Sequence, residues 1–233
     1  MLSVIVPTFQ ESQNIEPLLR RLARVRAQLA EPLEVVIVDD ASPDGTAARA
    51  RALFAEDPFG RVIERSGPRD LTQAVREGIR QARGELIRVM DADLSHPPEL
   101  LPALVEAVHR GADVAVASRY APGGGVANWP ASRRLLSRVG NALVRPLVPV
   151  ADATSGYFVC RVEVARALNP GTAGFKILLE LLAAPPRRRV QEVPYLFTDR
   201  RRGSSKLGAR VLGRYLTQVS RLYRRRLNHR EVA

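Results

Sequence analysis

The segments LSVIVP (residues 2–7) and LEVVIVDD (residues 33–40) decide the fold, because each is a short, β-branched apolar run that ends in polar residues. Runs of that kind are strands of a parallel sheet covered on both faces. Between them Ile15, Leu18, Leu19, Leu22, Val25 and Leu29 recur at helical spacing, with Ser12 or Asn14 placed to cap the start. Strand, helix, strand is the opening unit, and the alternation continues outward. Ser42-Pro43-Asp44-Gly45 reads as a turn before an Ala-rich helix, the strand RVIE (61–64) and a helix carrying Leu71, Ala74, Val75, Ile79 and Ala82. ELIRVMDAD (85–93) is the next strand. Pro97 and Pro98 suit the first turn of a helix that turns Leu101, Leu104, Val105 and Val108 inward, and DVAVASRY (113–120) is another strand. As far as Tyr120 the sheet is expected to be parallel.

Beyond it Pro122-Gly123-Gly124-Gly125 is a loop, and the helix after Pro130 carries Leu135, Leu136, Val139, Leu143 and Val144. GYFVC (156–160) and VQEVPYLF (190–197) are strand-like, FKILLELLAA (175–184) is helix-like, and residues 199–208 form a polar loop of the kind used as a lid. The expectation is one α/β domain over residues 1–208, a mostly parallel central sheet flanked by helices, and a basic amphipathic helix over 209–233. On that helix Val211, Leu212, Tyr215, Leu216, Val219, Leu222 and Tyr223 share one face, opposite Arg210, Arg214, Arg221, Arg224 and Arg225. Two readings are open for it: a terminal helix docked on the core, or an anchor lying on anionic lipid.

With 233 residues, 45% of them hydrophobic, the chain can bury one substantial core, and a formal charge of +12 favours polyanionic partners: nucleic acid, anionic lipid or phosphorylated substrates. Aromatic residues are only 5% and no nucleic-acid-binding motif occurs, so a nucleic-acid partner is not expected. The single Cys160 sits in an apolar run, which suits a buried, inert thiol and a cytosolic compartment. The start MLSVIVPTFQES does not read as a signal peptide, and the longest apolar runs are broken by Arg145-Pro146 and Pro185-Pro186, so contact with a membrane is expected rather than a crossing.

Ligands of open α/β sheets bind at the carboxyl ends of the strands, where Glu11, Asp39, Asp40, Asp91, Asp93 and Arg119 fall. Neither a Gly-x-Gly-x-x-Gly turn nor a Walker sequence is present to cradle phosphate. A hard divalent cation, Mg or Mn, held by Asp91 and Asp93 and completed by diphosphate oxygens is the alternative. The bland reading of Asp-Ala-Asp is a strand end or helix cap, so its context decides. His96 is read as a helix-start residue rather than a ligand. Trp129 is open between packing and substrate or membrane contact, and Arg187 to Arg189 are read as a solvated face.

That context is Pro7-Thr8-Phe9-Gln10-Glu11, then Asp39 to Thr46, then Met90 to Glu99, in order. It resembles the family 2 glycosyltransferases. Ser118-Arg119-Tyr120, the Gly run with Trp129 and Arg133, Ser155 to Phe158, Gly174-Phe175-Lys176 and Gly203 to Leu207 are similar to the dolichol-phosphate mannose synthases, over roughly residues 2–208. The resemblance implies a GT-A fold, with Pro7, Phe9, Glu11, Val38 and Asp40 lining the nucleoside pocket. It places Asp91, Ala92 and Asp93 at the diphosphate and metal, and Arg119, Arg133, Arg200 and Lys206 at phosphates. It further implies inverting transfer of a hexose, foremost mannose from GDP-mannose, to a polyprenyl or dolichyl phosphate. Glucosyl transfer or a glycan or protein acceptor is the alternative. An anionic membrane surface, an integral membrane partner subunit and a location at the cytoplasmic face complete the expectation. A phosphate acceptor is already ionised near neutral pH, so Asp91, Asp93 and Arg119 would act by charge rather than proton transfer. The chain departs from the pattern at Phe9, at Ser95, at Ser204 and at Arg69-Asp70-Leu71, and it lacks the Gln-x-x-Arg-Trp of processive synthases.

Overall fold

The computed structural model describes residues 1–148, 150–168, 176–198 and 209–230. Strand β1 (Leu2–Thr8), helix α1 (Ser12–Arg26), β2 (Leu33–Asp39), α2 (Thr46–Glu56), β3 (Gly60–Glu64), α3 (Leu71–Gln81) and β4 (Leu86–Val89) follow the alternation expected. A 3-10 turn at Pro98–Leu100 leads into α4 (Leu101–His109), then β5 (Val114–Ser118), the short β6 (Gly125–Val126) and α5 (Ala131–Val144). The remainder comprises β7 (Phe158–Arg161), α6 (Val162–Arg166), α7 (Ile177–Ala183), β8 (Val190–Pro194), β9 (Leu196–Phe197) and α8 (Ala209–Arg230).

Seven strands form one sheet in the order β3-β2-β1-β4-β7-β5-β8. β7 runs antiparallel to both β4 and β5, and every other pairing is parallel. The sheet separates two core layers because successive side chains point to opposite faces. Val4, Val6, Val35 and Ile37 lie in one layer with α1 and α4, whereas Ile5, Val36 and Val38 lie in the other with α3, α6 and α7. Gly78 lets α3 approach closely, since a Cβ there would sit 2.3 Å from Ile5 Cγ2. VQEVPYLF is not one strand. It divides into β8 of the main sheet and β9, which pairs with β6 and pins the Gly-rich loop.

One of the two readings open for α8 is observed, and α5 differs from what periodicity alone suggests. α8 docks on the core: Tyr215, Val219 and Leu222 are buried in the second layer, and the Tyr215 and Tyr223 hydroxyls donate to the carbonyls of Gly140 and Leu143 in α5. α5 turns its leucines outward, with Leu135 65% and Val139 47% exposed, while Asn141 and Val144 face the core.

Candidate active site

The parallel strands β1, β2 and β4 end at one edge of the sheet, and the residues just past them carry the strain. Gln10, Ala41 and Leu94 all have positive φ, at 59°, 51° and 61°. Each such L-residue costs roughly 1–2 kcal/mol. Strain gathered at one sheet edge marks that edge as the place where geometry is imposed for function.

At the β1–β2 end, Asp39 is wholly buried and serves the fold: its carboxylate accepts from Thr8 Oγ1 at 2.7 Å and from Ser42 N and Oγ at 2.7 Å. Asp40 accepts from the Arg65 guanidinium and from Asp70 N at 3.0 Å, which locks it to the start of α3. Glu11 is positioned by its amide, which donates to Thr46 Oγ1 at 3.0 Å, and its carboxylate accepts from Asn14 Nδ2 at 2.7 Å. The departure at Arg69 acquires a geometry here, because its guanidinium lies over the Phe9 ring, 4.1 Å from the centroid. Pro7 and Val38 face each other in register across β1 and β2, and both are buried, Val38 in the layer beneath α3.

Beyond β4 the chain turns through Asp91, Ala92 and Asp93. Ala92 is buried and anchors the turn, Asp91 is exposed, and Asp93 is half-buried, its Oδ1 accepting from Ser95 N at 2.9 Å. Beneath the turn lies a buried cation. Arg88 donates through Nη1 to the carbonyls of Gly156 (3.0 Å) and Phe158 (3.3 Å), meets His96 Nδ1 at 3.1 Å through Nη2, and stacks 4.0 Å over the Tyr157 ring. Burial lowers its pKa to about 10. Tyr157 donates from its hydroxyl to Pro97 O at 2.7 Å, which ties this cluster to the far end of the acidic turn. Among the described residues no group of three or more His, Cys, Asp or Glu can enclose a metal. Two carboxylates in one turn therefore fit a hard cation whose remaining ligands come from a bound substrate, the arrangement common for Mg with phosphates.

At the end of β5, Arg119 has a carboxylate partner that the sequence did not suggest. Asp152 receives its Nε and Nη2 at 2.7 Å each and its backbone N at 3.0 Å, and Thr154 Oγ1 takes Nη2 at 3.0 Å. Burial opposes the Arg119 charge, but Asp152 more than offsets it and the pKa rises. Asp152 is itself held by Glu192, whose carboxylate accepts from Asp152 N at 3.0 Å. Trp129 is buried at 5% exposure, packed edge-on to Phe197 at 5.4 Å and covered by Arg133 at 4.1 Å, so it is a packing residue of this wall.

Lys176, quoted in the sequence pattern but not among the candidate site residues, reaches the same crevice. Its charge interacts with those of Arg119, Asp152 and Asp91, and its backbone is clamped by Gln218 of α8. Burial, reinforced by Arg119, lowers its pKa to about 8 from the usual 10.5. The sign follows directly: the unfolded chain holds more protons than the folded one between about pH 8 and 10.5, so the stability from this group rises across that window. For binding an anion the direction reverses, because the charge is lost above about pH 8. We expect kcat/KM for an anionic substrate to fall above that pH, and Lys176→Met to lower it at neutral pH and remove that limb; a pH–rate profile of both proteins checks it.

The structure thus brings Phe9, Glu11, Asp40, Asp91, Asp93 and Arg119 to one edge of the sheet, with Arg133 on the adjoining wall. Arg200 and Lys206 lie outside the described residues. Arg88, Asp152 and Lys176 are the additions. Only Lys176 carried a signal in sequence, through its matched motif.

Comparison with known proteins bears on the family and the fold. The family Glycosyl transferase family 2 matches residues 3–168. The dolichol-phosphate mannosyltransferase of Pyrococcus furiosus is 41% identical over 224 residues, covering 94% of this chain and 63% of the relative, so this chain spans less than two thirds of that protein. The dolichol-phosphate mannosyltransferase of Saccharomyces cerevisiae is 40% identical over 231 residues, covering 95% of this chain and 86% of the relative. Among solved structures, the mannosyltransferase PcManGT from Pyrobaculum calidifontis, in complex with GDP-Man and Mn2+, superposes with a TM-score of 0.67 at 20% identity over 94% of this chain and 64% of that one. That likeness shows the GT-A fold. With the family match extending over six of the seven strands of the sheet and its acidic turn, and with identity of this level along nearly the whole chain, the protein belongs to glycosyl transferase family 2.

Proposed function

We propose that the chain transfers a mannosyl group from GDP-mannose to a polyprenyl phosphate, with inversion at the anomeric carbon, at a membrane surface. The observation that carries the reading is the meeting of Asp91, from the acidic turn, with Lys176 and the Arg119–Asp152 pair in one crevice. The names of the two relatives supply the sugar and the lipid class.

Phe9, Glu11 and Asp40 receive the nucleoside, and Arg69 covers the Phe9 face. A cation held by Asp91 and Asp93 would neutralise the departing diphosphate. Lys176, with Arg133, Arg200 and Lys206, offsets the negative charge of the acceptor phosphate, while Arg119, paired with Asp152, shapes the wall. An acceptor phosphate oxygen forms a bond to the anomeric carbon as the bond to the donor diphosphate breaks, and GDP leaves. No residue needs to remove a proton, since the acceptor oxygen is already ionised.

Among the described residues no helix is long and apolar enough to cross a membrane. A membrane-surface role is supported by α5 and α8, which lie side by side and expose Leu135, Leu136, Val139, Leu143, Leu212 and Leu216. Exposed Arg134, Arg138, Arg214 and Arg224 on the same two helices favour an anionic surface, the cytoplasmic face of a bilayer.

A donor-by-acceptor screen with Mg or Mn tests the function: labelled mannose should enter an organic-extractable, mild-acid-labile lipid. Absence of lipid product with every prenyl phosphate tried, beside transfer to a glycan or protein, would overturn the acceptor. Arg69→Ala should raise the donor KM by roughly 2- to 5-fold with kcat little changed, the size of an exposed cation–π contact, as read by steady-state kinetics.

A further inference from the structure

A groove of about 760 Å³ lies between α6, the C-terminal part of α7 and α8, reaching from Glu180, one helical turn past Lys176, to Arg187 and Arg188 beyond the far end of α7. Its position follows from the topology. β7 runs antiparallel to β4, so Arg161 at its end pairs with Leu86 at the start of β4, and α6, which follows at once, sits at the sheet edge away from Asp91. The floor is apolar, formed by Val164, Leu168, Leu181 and Leu222, and Leu147 joins it to the end of α5. The rim carries Arg187, Arg188, Arg225 and Arg226.

One carboxylate, Glu180, faces this cluster, and it is already engaged. It pairs with Arg221, lies 3.8 Å from Arg225, and accepts from Gln218 Nε2 at 3.0 Å. Among the described residues no carboxylate pairs with Arg187, Arg188 or Arg226. The Nε of Arg188 is buried without a hydrogen-bond partner. A shielded, unsatisfied donor costs roughly 1–3 kcal/mol, more when charged, a cost that an acceptor from water or a bound anion relieves. In the sequence the run Arg187 to Arg189 reads as a solvated face. In the fold Arg189 does lie out, beside Asp113, but Arg188 turns into the groove.

We infer that this groove binds an anionic phospholipid, its phosphate on Arg187 and Arg188 and its hydrocarbon along the floor. An inorganic phosphate would satisfy the guanidinia and leave the leucines wet, and a neutral lipid would do the reverse. An amphiphile satisfies both. Continuity decides the source: Leu222, Arg225 and Arg226 belong to α8, whose next faces carry the exposed Leu212 and Leu216, so a lipid can enter from the same surface on which the helix pair would lie. The site does not depend on the sugar or acceptor proposed above.

The test is calorimetric titration of the full chain with dihexanoyl phosphatidylglycerol, dihexanoyl phosphatidylcholine and inorganic phosphate below micellar concentrations. Binding of the anionic lipid in clear preference to both others is expected, with at least about tenfold loss in Arg187→Ala/Arg188→Ala. The exposed Arg187→Glu alone should lower affinity with no change in thermal stability, which separates loss of the site from loss of the fold. Transfer activity toward a water-soluble acceptor should stay within about twofold in these variants, because Arg187 and Arg188 lie beyond the end of α7 farthest from Lys176. Equal affinity for phosphate would overturn the lipid assignment, equal affinity for the choline lipid would overturn the role of the arginines, and unchanged affinity in both variants would overturn the location.

Discussion

Asp93→Asn is expected to lower kcat/KM for sugar transfer by on the order of 1000-fold while the melting temperature moves by no more than a few degrees. The side-chain amide keeps an oxygen at the position that accepts from Ser95 N, so the turn after β4 retains its shape. What disappears is one of the two negative charges that a hard cation needs at this end of the donor. A purely structural role predicts the reverse pattern, with stability lost and activity per folded molecule retained. Steady-state kinetics beside thermal unfolding separates the two, and Asp91→Asn should behave alike, since Asp91 is the exposed member of the pair.

Asp152→Ala should be the most destabilising single change near the crevice, by about 3–5 kcal/mol, because it leaves the Arg119 guanidinium buried without its partner. The Arg119 side chain is only 11% exposed and that of Asp152 not at all, so solvent screens little of the loss. In a domain of this size the shift corresponds to roughly 10 °C in melting temperature. The double change Arg119→Leu/Asp152→Leu should recover much of that stability, since removing both charges also removes the cost of burying them. Because the Arg119–Asp152 pair shapes the wall of the crevice, the double variant should be stable yet poor in transfer. Denaturant unfolding with paired kinetics reads both quantities.

The parallel half of the fold was legible because unbroken β-branched runs, buried on both faces, alternate with stretches whose apolar residues recur at helical spacing. Direction is another matter. Phe158 to Cys160 is an apolar run like those of β1 and β2, and nothing in such a run says that it enters the sheet antiparallel between β4 and β5. Periodicity likewise places Leu135, Leu136, Val139 and Leu143 along α5 without saying that most of this apolar stripe faces outward, a question settled only by what α8 and the sheet leave uncovered.

The same limit governs the site. Asp91 and Asp93 could be found because both fall in one short turn after a strand, and Glu11 and Asp40 because they follow strand ends. Arg119 was found but its partner was not, since Asp152 stands 33 residues later in a stretch without strand or helix pattern. Arg88 was hidden for the opposite reason. It sits inside a strand among apolar neighbours, and only the Gly156 and Phe158 carbonyls and the Tyr157 ring, contributed by β7 and its approach, explain a cation there.

On the function proposed, Asp91 and Asp93 hold a divalent cation together with the donor diphosphate. Electron paramagnetic resonance of free Mn2+ during titration of the chain with GDP tests it most directly. GDP should drive uptake of Mn2+ by the wild-type chain, and this coupling should be lost in Asp91→Asn/Asp93→Asn. Undiminished GDP-dependent uptake in the folded double variant would contradict it.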